Sequence, residues 1–68
     1  MLPPSDRLLK LREVMHRCAL SRSAIYFKIK NGNFPSQVPI SSKSVGWLES
    51  EINAWLDERR AERDRRSR

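Results

Sequence analysis

A chain of 68 residues with a formal net charge of +6 and a single cysteine describes one domain with a small core, worth about 3–5 kcal/mol of net stability. That size argues against an enzyme with a deep pocket, one cysteine excludes an intramolecular disulfide, and Cys18 with His16 alone cannot complete a metal site. No run of about 18 apolar residues is present to cross a bilayer, and the opening MLPPSDRLLK lacks the basic-then-apolar order of a secretion signal, so a cytoplasmic protein without a cofactor is expected.

Residues 1–6, MLPPSD, carry two prolines and little to pack, which predicts a loose N-terminal arm. Arg7 to Lys10 reads as a short extended segment with Leu8 or Leu9 turned inward. Leu11, Val14, Met15 and Cys18 then recur at i, i+3, i+4 and i+7, the apolar stripe of a helix beginning near Leu11. Lys10 stands where a Ser or Thr cap is usual, although Glu13 follows three residues on, as in a capping box. Cys18 lies on the inner stripe, where a thiol acts as a small hydrophobe, and His16 lies on the outer face.

Ser21 is a good N-cap and Gly32 a good stop, so a second short helix is predicted between them. Ile25 and Ile29 face inward. Ser23, Tyr26, Phe27 and Lys30 project from the other side. Two short helices joined by a tight turn, with a donor-rich outer face on the second, fit a helix-turn-helix that reads the DNA major groove.

Phe34 and Pro35 close off the helical pair. Val38-Pro39-Ile40 and Ser44-Val45-Gly46-Trp47 are expected to pair as two edge strands across a Ser41-Ser42-Lys43 turn. Ile40, Val45 and Trp47 would pack onto the helices. A hairpin placed here has the form of a wing, with Ser42 and Lys43 at the tip against a phosphate backbone or minor groove. From Leu48 a last helix is expected, with Leu48, Ile52, Trp55 and Leu56 inward. Its early carboxylates and late arginines suit the helix dipole. Arg60 with Asp64 and Glu62 with Arg66 form i,i+4 pairs, and Arg65 to Arg68 are expected to fray. The predicted fold is mainly α with a small β-hairpin, a winged helix-turn-helix over residues 7–60 followed by a basic tail over 61–68.

Charge follows the same division. Arg17 to Val45 holds Arg17, Arg22, Lys28, Lys30 and Lys43 and no carboxylate, whereas Gly46 to Glu58 holds Glu49, Glu51, Asp57 and Glu58 and no base. Six arginines follow from Arg59 onward. A polyanion should therefore meet the middle of the molecule. The competing reading is a small adaptor that grips another protein through Glu49, Ser50, Glu51 and Asn53. An adaptor has no physical need for a carboxylate-free run.

The residues Leu20-Ser21-Arg22-Ser23, Ile25-Tyr26, Lys30, Gly32, Phe34-Pro35 and Val45 to Ile52, with Ala54-Trp55-Leu56, together resemble the AlpA family of prophage regulatory proteins. The likeness runs from about Arg7 to Arg60 and rests on the order LSRSxIY, GxFP and VGWLESEI. It implies a winged helix related to phage excisionases and the MerR-type DNA-binding domain. Such a protein regulates integrase expression or helps an integrase excise its element, in a bacterium. The implied partners are double-stranded DNA, with integrase or RNA polymerase, and further copies binding side by side. Carried over residue by residue, the family's groove-facing positions fall on Arg22, Ser23, Tyr26 and Lys30. Phe27 stands where an arginine is common, so a phenyl ring there would meet a thymine methyl or a sugar.

Overall fold

The computed structural model describes residues 6–66 and is mainly helical. It runs β1 (Leu8–Leu9), α1 (Leu11–Cys18), α2 (Arg22–Lys30), β2 (Val38–Ser41), β3 (Ser44–Leu48) and α3 (Glu49–Arg66), an order compatible with the expected winged helix-turn-helix. Most of the expected N-terminal arm, and the last two residues of the expected tail, lie outside the described residues.

Neither α1 nor α2 is long enough to persist in isolation, so packing must hold them. Val14 is fully buried, and Leu11, Met15 and Cys18 pack beside it against the core. Lys10 gives α1 no side-chain cap. The helix ends at Ala19, which is left-handed at φ 54, and the N–H groups of Ala19 and Leu20 both donate to the Met15 carbonyl. An L-residue there costs about 1–2 kcal/mol, a strain accepted in exchange for the sharp bend into α2. The second helix is fixed at both ends. Ser21 Oγ accepts from the Ala24 N–H at 3.1 Å. Beyond Asn31, Gly32 takes φ 74 and donates to the Ile29 carbonyl, while Asn33 donates to that of Lys28 at 2.8 Å, the paired closure of a Schellman motif.

The sheet has the order β1-β3-β2, with Leu9 opposite Trp47 and Val38 opposite Gly46. This corrects the expectation of two edge strands. β1 claims the free side of β3, so of the hairpin only β2 is an edge, and there Pro39 forfeits no needed donor. The turn narrows to Ser42-Lys43, because Ser41 pairs with Ser44 past an irregularity between Pro39 and Ser41. Ile40 is also corrected: it is 42% exposed and covers Gly46, where an added Cβ would lie 2.8 Å from Ile40 Cδ1 and 3.2 Å from the Leu9 carbonyl oxygen. Leu48 ends β3 instead of starting the helix.

The core draws one buried residue from each part of the fold. Leu9 comes from β1, Val14 from α1, Ile25 from α2, Phe34 from the following loop, Trp47 from β3 and Ile52 from α3. Trp55 and Leu56 pack at its margin. Both indoles staple the Asn33–Pro35 loop, Trp47 Nε1 donating to the Pro35 carbonyl at 2.9 Å and Trp55 Nε1 to that of Asn33 at 2.8 Å. Phe34 meets Trp55 edge to face at 4.9 Å. Further along α3, Arg66 reaches Glu62 as expected, but Arg60 turns back to Asp57 at 3.0 Å instead of forward to Asp64.

Candidate nucleic-acid interface

Helix α2 carries Arg22 and Ser23 in its first turn, both exposed. Its exposed face continues through Phe27 and Lys30. Ser23, Phe27 and Lys30 follow one another at i, i+4 and i+7, so they form a single outward row. Tyr26 behaves differently from the other four expected contacts on this helix. Its ring packs edge to face on Trp47 at 6.3 Å, which leaves it half-buried and makes it a brace between α2 and the sheet. The Arg22 guanidinium lies 5.9 Å from the centre of that ring, a cation–π contact that directs the arginine along the helix face.

Trp47 also connects the helix to the wing. Four residues before it in the same hairpin is Lys43, a span of roughly 13 Å along an extended chain. At the tip, Ser41 Oγ and Ser44 Oγ hydrogen-bond each other at 3.1 Å, and the Lys43 N–H donates to Ser41 Oγ. Two of the three wing hydroxyls are thereby engaged within the turn, and Ser42 and Lys43 are left exposed.

The basic run does not act as one surface. Arg17 is only 29% exposed and reaches Glu13 and Glu49, each at 3.0 Å. Arg7 spans the same two carboxylates at 3.4 and 3.5 Å. Burial works against the Arg17 charge, but the hydrogen bonds from Glu13 and Glu49 outweigh it and hold the guanidinium more firmly protonated than usual. This four-charge cluster joins α1 to the start of α3. Arg22, Lys28, Lys30 and Lys43, by contrast, form no ion pair with a described residue. Lys28 is half-buried and borders an open recess of about 500 Å³ together with Asn33, Trp55 and Arg59.

Asp6 was not anticipated as a structural residue. It accepts from the Ser50 N–H at 3.0 Å and from Ser50 Oγ at 2.7 Å, supplying from a distance the N-terminal cap of α3. Those bonds, the side-chain one first, hold its carboxyl below the ordinary 3.8. The only signal in the sequence was an acidic residue ahead of a strand. Cys18 has its thiol pushed up by burial, against the pull of Arg17, which keeps it protonated at neutral pH. Among the described residues no group of three or more His, Cys, Asp or Glu is placed to hold a metal ion, and no helix is long and apolar enough to cross a membrane.

Comparison with known proteins supports the same surface from outside. The family described as "Prophage CP4-57 regulatory protein (AlpA)" matches residues 7–60. The chain is 52% identical over 60 residues to the uncharacterized protein ORF88 of Enterobacteria phage P4, covering 88% of this chain and 68% of that one. It is 34% identical over 59 residues to the DNA-binding transcriptional activator AlpA of Escherichia coli K12, covering 78% of this chain and 84% of that one.

Proposed function

The chain belongs to the AlpA family of prophage regulatory proteins, and we propose that it binds duplex DNA sequence-specifically to regulate a prophage or integrated element. In this reading α2 enters the major groove. Arg22 meets a guanine edge or a phosphate, Ser23 and Lys30 donate to base or backbone oxygens, and Ser42 and Lys43 bring the wing tip against the backbone. Tyr26 acts mainly by bracing the helix, with its phenol directed at a phosphate. The regulated step is integrase expression or excision, and integrase, RNA polymerase or further copies of the chain on adjacent sites are the expected partners. A single module of this kind buries only about 600–1,000 Å² on DNA, which is why cooperating copies or partners are part of the proposal. Such a protein would work in the bacterial cytoplasm, at the nucleoid.

The observation that carries this reading is the sorting of the basic residues. Arg17, with both neighbouring acids, is used up inside the fold, whereas the cations of α2 and the wing tip meet no carboxylate. The adaptor alternative loses part of its surface by the same sorting, since Glu49 lies in the ion cluster and Ser50 is bound to Asp6. Footprinting on the protein's own gene neighbourhood, beside an unrelated duplex of equal length, tests the proposal. Discrete protected repeats near an integrase promoter or attachment site are expected. Equal, unpatterned binding to both duplexes, or none, would refute it.

A further inference from the structure

Resting on that DNA-binding reading, we propose that Phe27 reads the C5 methyl group of a thymine, so that an apolar contact sets specificity at the centre of the α2 face. Phe27 is 67% exposed, far above the other exposed large hydrophobics, Leu8 and Ile40 at 36% and 42%. It takes no part in the core. Its neighbour Tyr26 shows that a ring on this helix can turn onto Trp47; Phe27 does not.

Folding supplies no reason for the ring. Phenylalanine is a middling helix former, and a solvent-facing side chain gains little on folding. The position is nevertheless firmly set, because the Phe27 carbonyl accepts from both the backbone N–H and the side-chain Nδ2 of Asn31, at 3.2 and 3.0 Å. One turn before it on the same row stands the Ser23 hydroxyl, and one turn after it the Lys30 ammonium. A phenyl ring has neither donor nor acceptor, so it adds nothing to a phosphate contact. Among the base edges of the major groove the thymine methyl is the apolar feature, the remainder being donors and acceptors. A row of hydroxyl, ring and ammonium therefore matches a groove segment in which a methyl group lies between hydrogen-bond acceptors.

The test begins with a duplex enriched from a randomised library by the wild-type protein. Each thymine is then replaced in turn by uracil, which keeps the hydrogen-bonding edges and removes only the methyl group. At one position or two neighbouring ones, uracil is expected to weaken wild-type binding about fourfold, the worth of one buried methyl. Phe27→Ala should bind the thymine and uracil duplexes equally, with an unchanged thermal midpoint because the ring is exposed, and Phe27→Leu should keep part of the discrimination. Indifference of the wild type to every uracil would overturn the contact and point to a sugar instead. An unchanged uracil penalty in Phe27→Ala would overturn it too, by assigning the methyl to another residue. Failure to enrich any duplex would refute the DNA reading, and this contact with it; enrichment without methyl sensitivity would refute the contact alone.

Discussion

Arg17 and Arg22 lie five positions apart in the same carboxylate-free run, yet they belong to different regions with different uses for charge. Arg17 is held between Glu13 and Glu49 and joins α1 to α3. Arg22 lies along the Tyr26 ring with its guanidinium free of any acid among the described residues. The difference arises from the turn at Ala19, which rotates the chain so that α1 keeps its cation against the α3 terminus and α2 presents its own outward. A local run of like charge is thus divided by tertiary structure into a fastener and a binding face. Stability should respond to one region and DNA affinity to the other.

The harshest way to break this comparison is to remove the residue that both regions share. Trp47→Ala deletes the largest fully buried side chain, the brace for Tyr26 and the bond to the Pro35 carbonyl. The expected cost is about 3–5 kcal/mol, comparable with the whole stability of a core this small. Circular dichroism at room temperature should show an unfolded chain that no longer binds DNA. The next largest effect separates the regions. Arg22→Ala with Lys30→Ala is expected to weaken specific binding by roughly 10- to 100-fold, while the thermal midpoint stays put, because neither side chain is buried or ion-paired. Unchanged binding by the double variant would remove α2 as the reader.

How far the two regions were legible in the sequence follows from the range of the interactions involved. The apolar stripe of α1, the Ser21 cap, the Gly32 stop and the inward Ile25 are local patterns, set by neighbours within four residues, and each is found where its spacing placed it. The outward row of Ser23, Phe27 and Lys30 was legible for the same reason. Asp6 and Ser50 are 44 positions apart, and no periodicity connects them. Nor could spacing tell that Arg17 would find Glu49, that β1 would occupy the free side of β3 and make it central, or that Tyr26 would lean onto Trp47. Those outcomes depend on how the elements cross. Ile40 was misplaced because alternation along a hairpin identifies a face without saying what lies above it, and here the ring of contacts closes over Gly46.

Two smaller effects sharpen the contrast from the stability side. Arg17→Met leaves Glu13 and Glu49 sharing only the more exposed Arg7, and is expected to cost about 1 kcal/mol after allowance for solvent screening, or roughly 4–8 °C in Tm for a domain of this size. Thermal melts should show that loss, and binding by the folded protein should be unchanged. The smallest effect is that of Asp6. Because its folded carboxyl titrates below the ordinary 3.8, the unfolded chain takes up the proton first, so the stability it contributes is intact above about pH 5 and drains away as pH falls through about 4 and below. Asp6→Asn should flatten that part of the pH–Tm curve; an unaltered curve would show that the Ser50 contact does not hold in solution.

The division between fastener and binding face is tested most directly by the salt dependence of DNA binding, measured for the wild type, Lys30→Ala and Arg17→Met on one duplex. Each phosphate contact contributes about 0.9 to the slope of log affinity against log salt. Lys30→Ala should therefore flatten the slope by about 0.9, and Arg17→Met should leave it as in the wild type. A slope that flattens for Arg17→Met and not for Lys30→Ala would contradict the assignment of the two charges and place the DNA on the other side of the molecule.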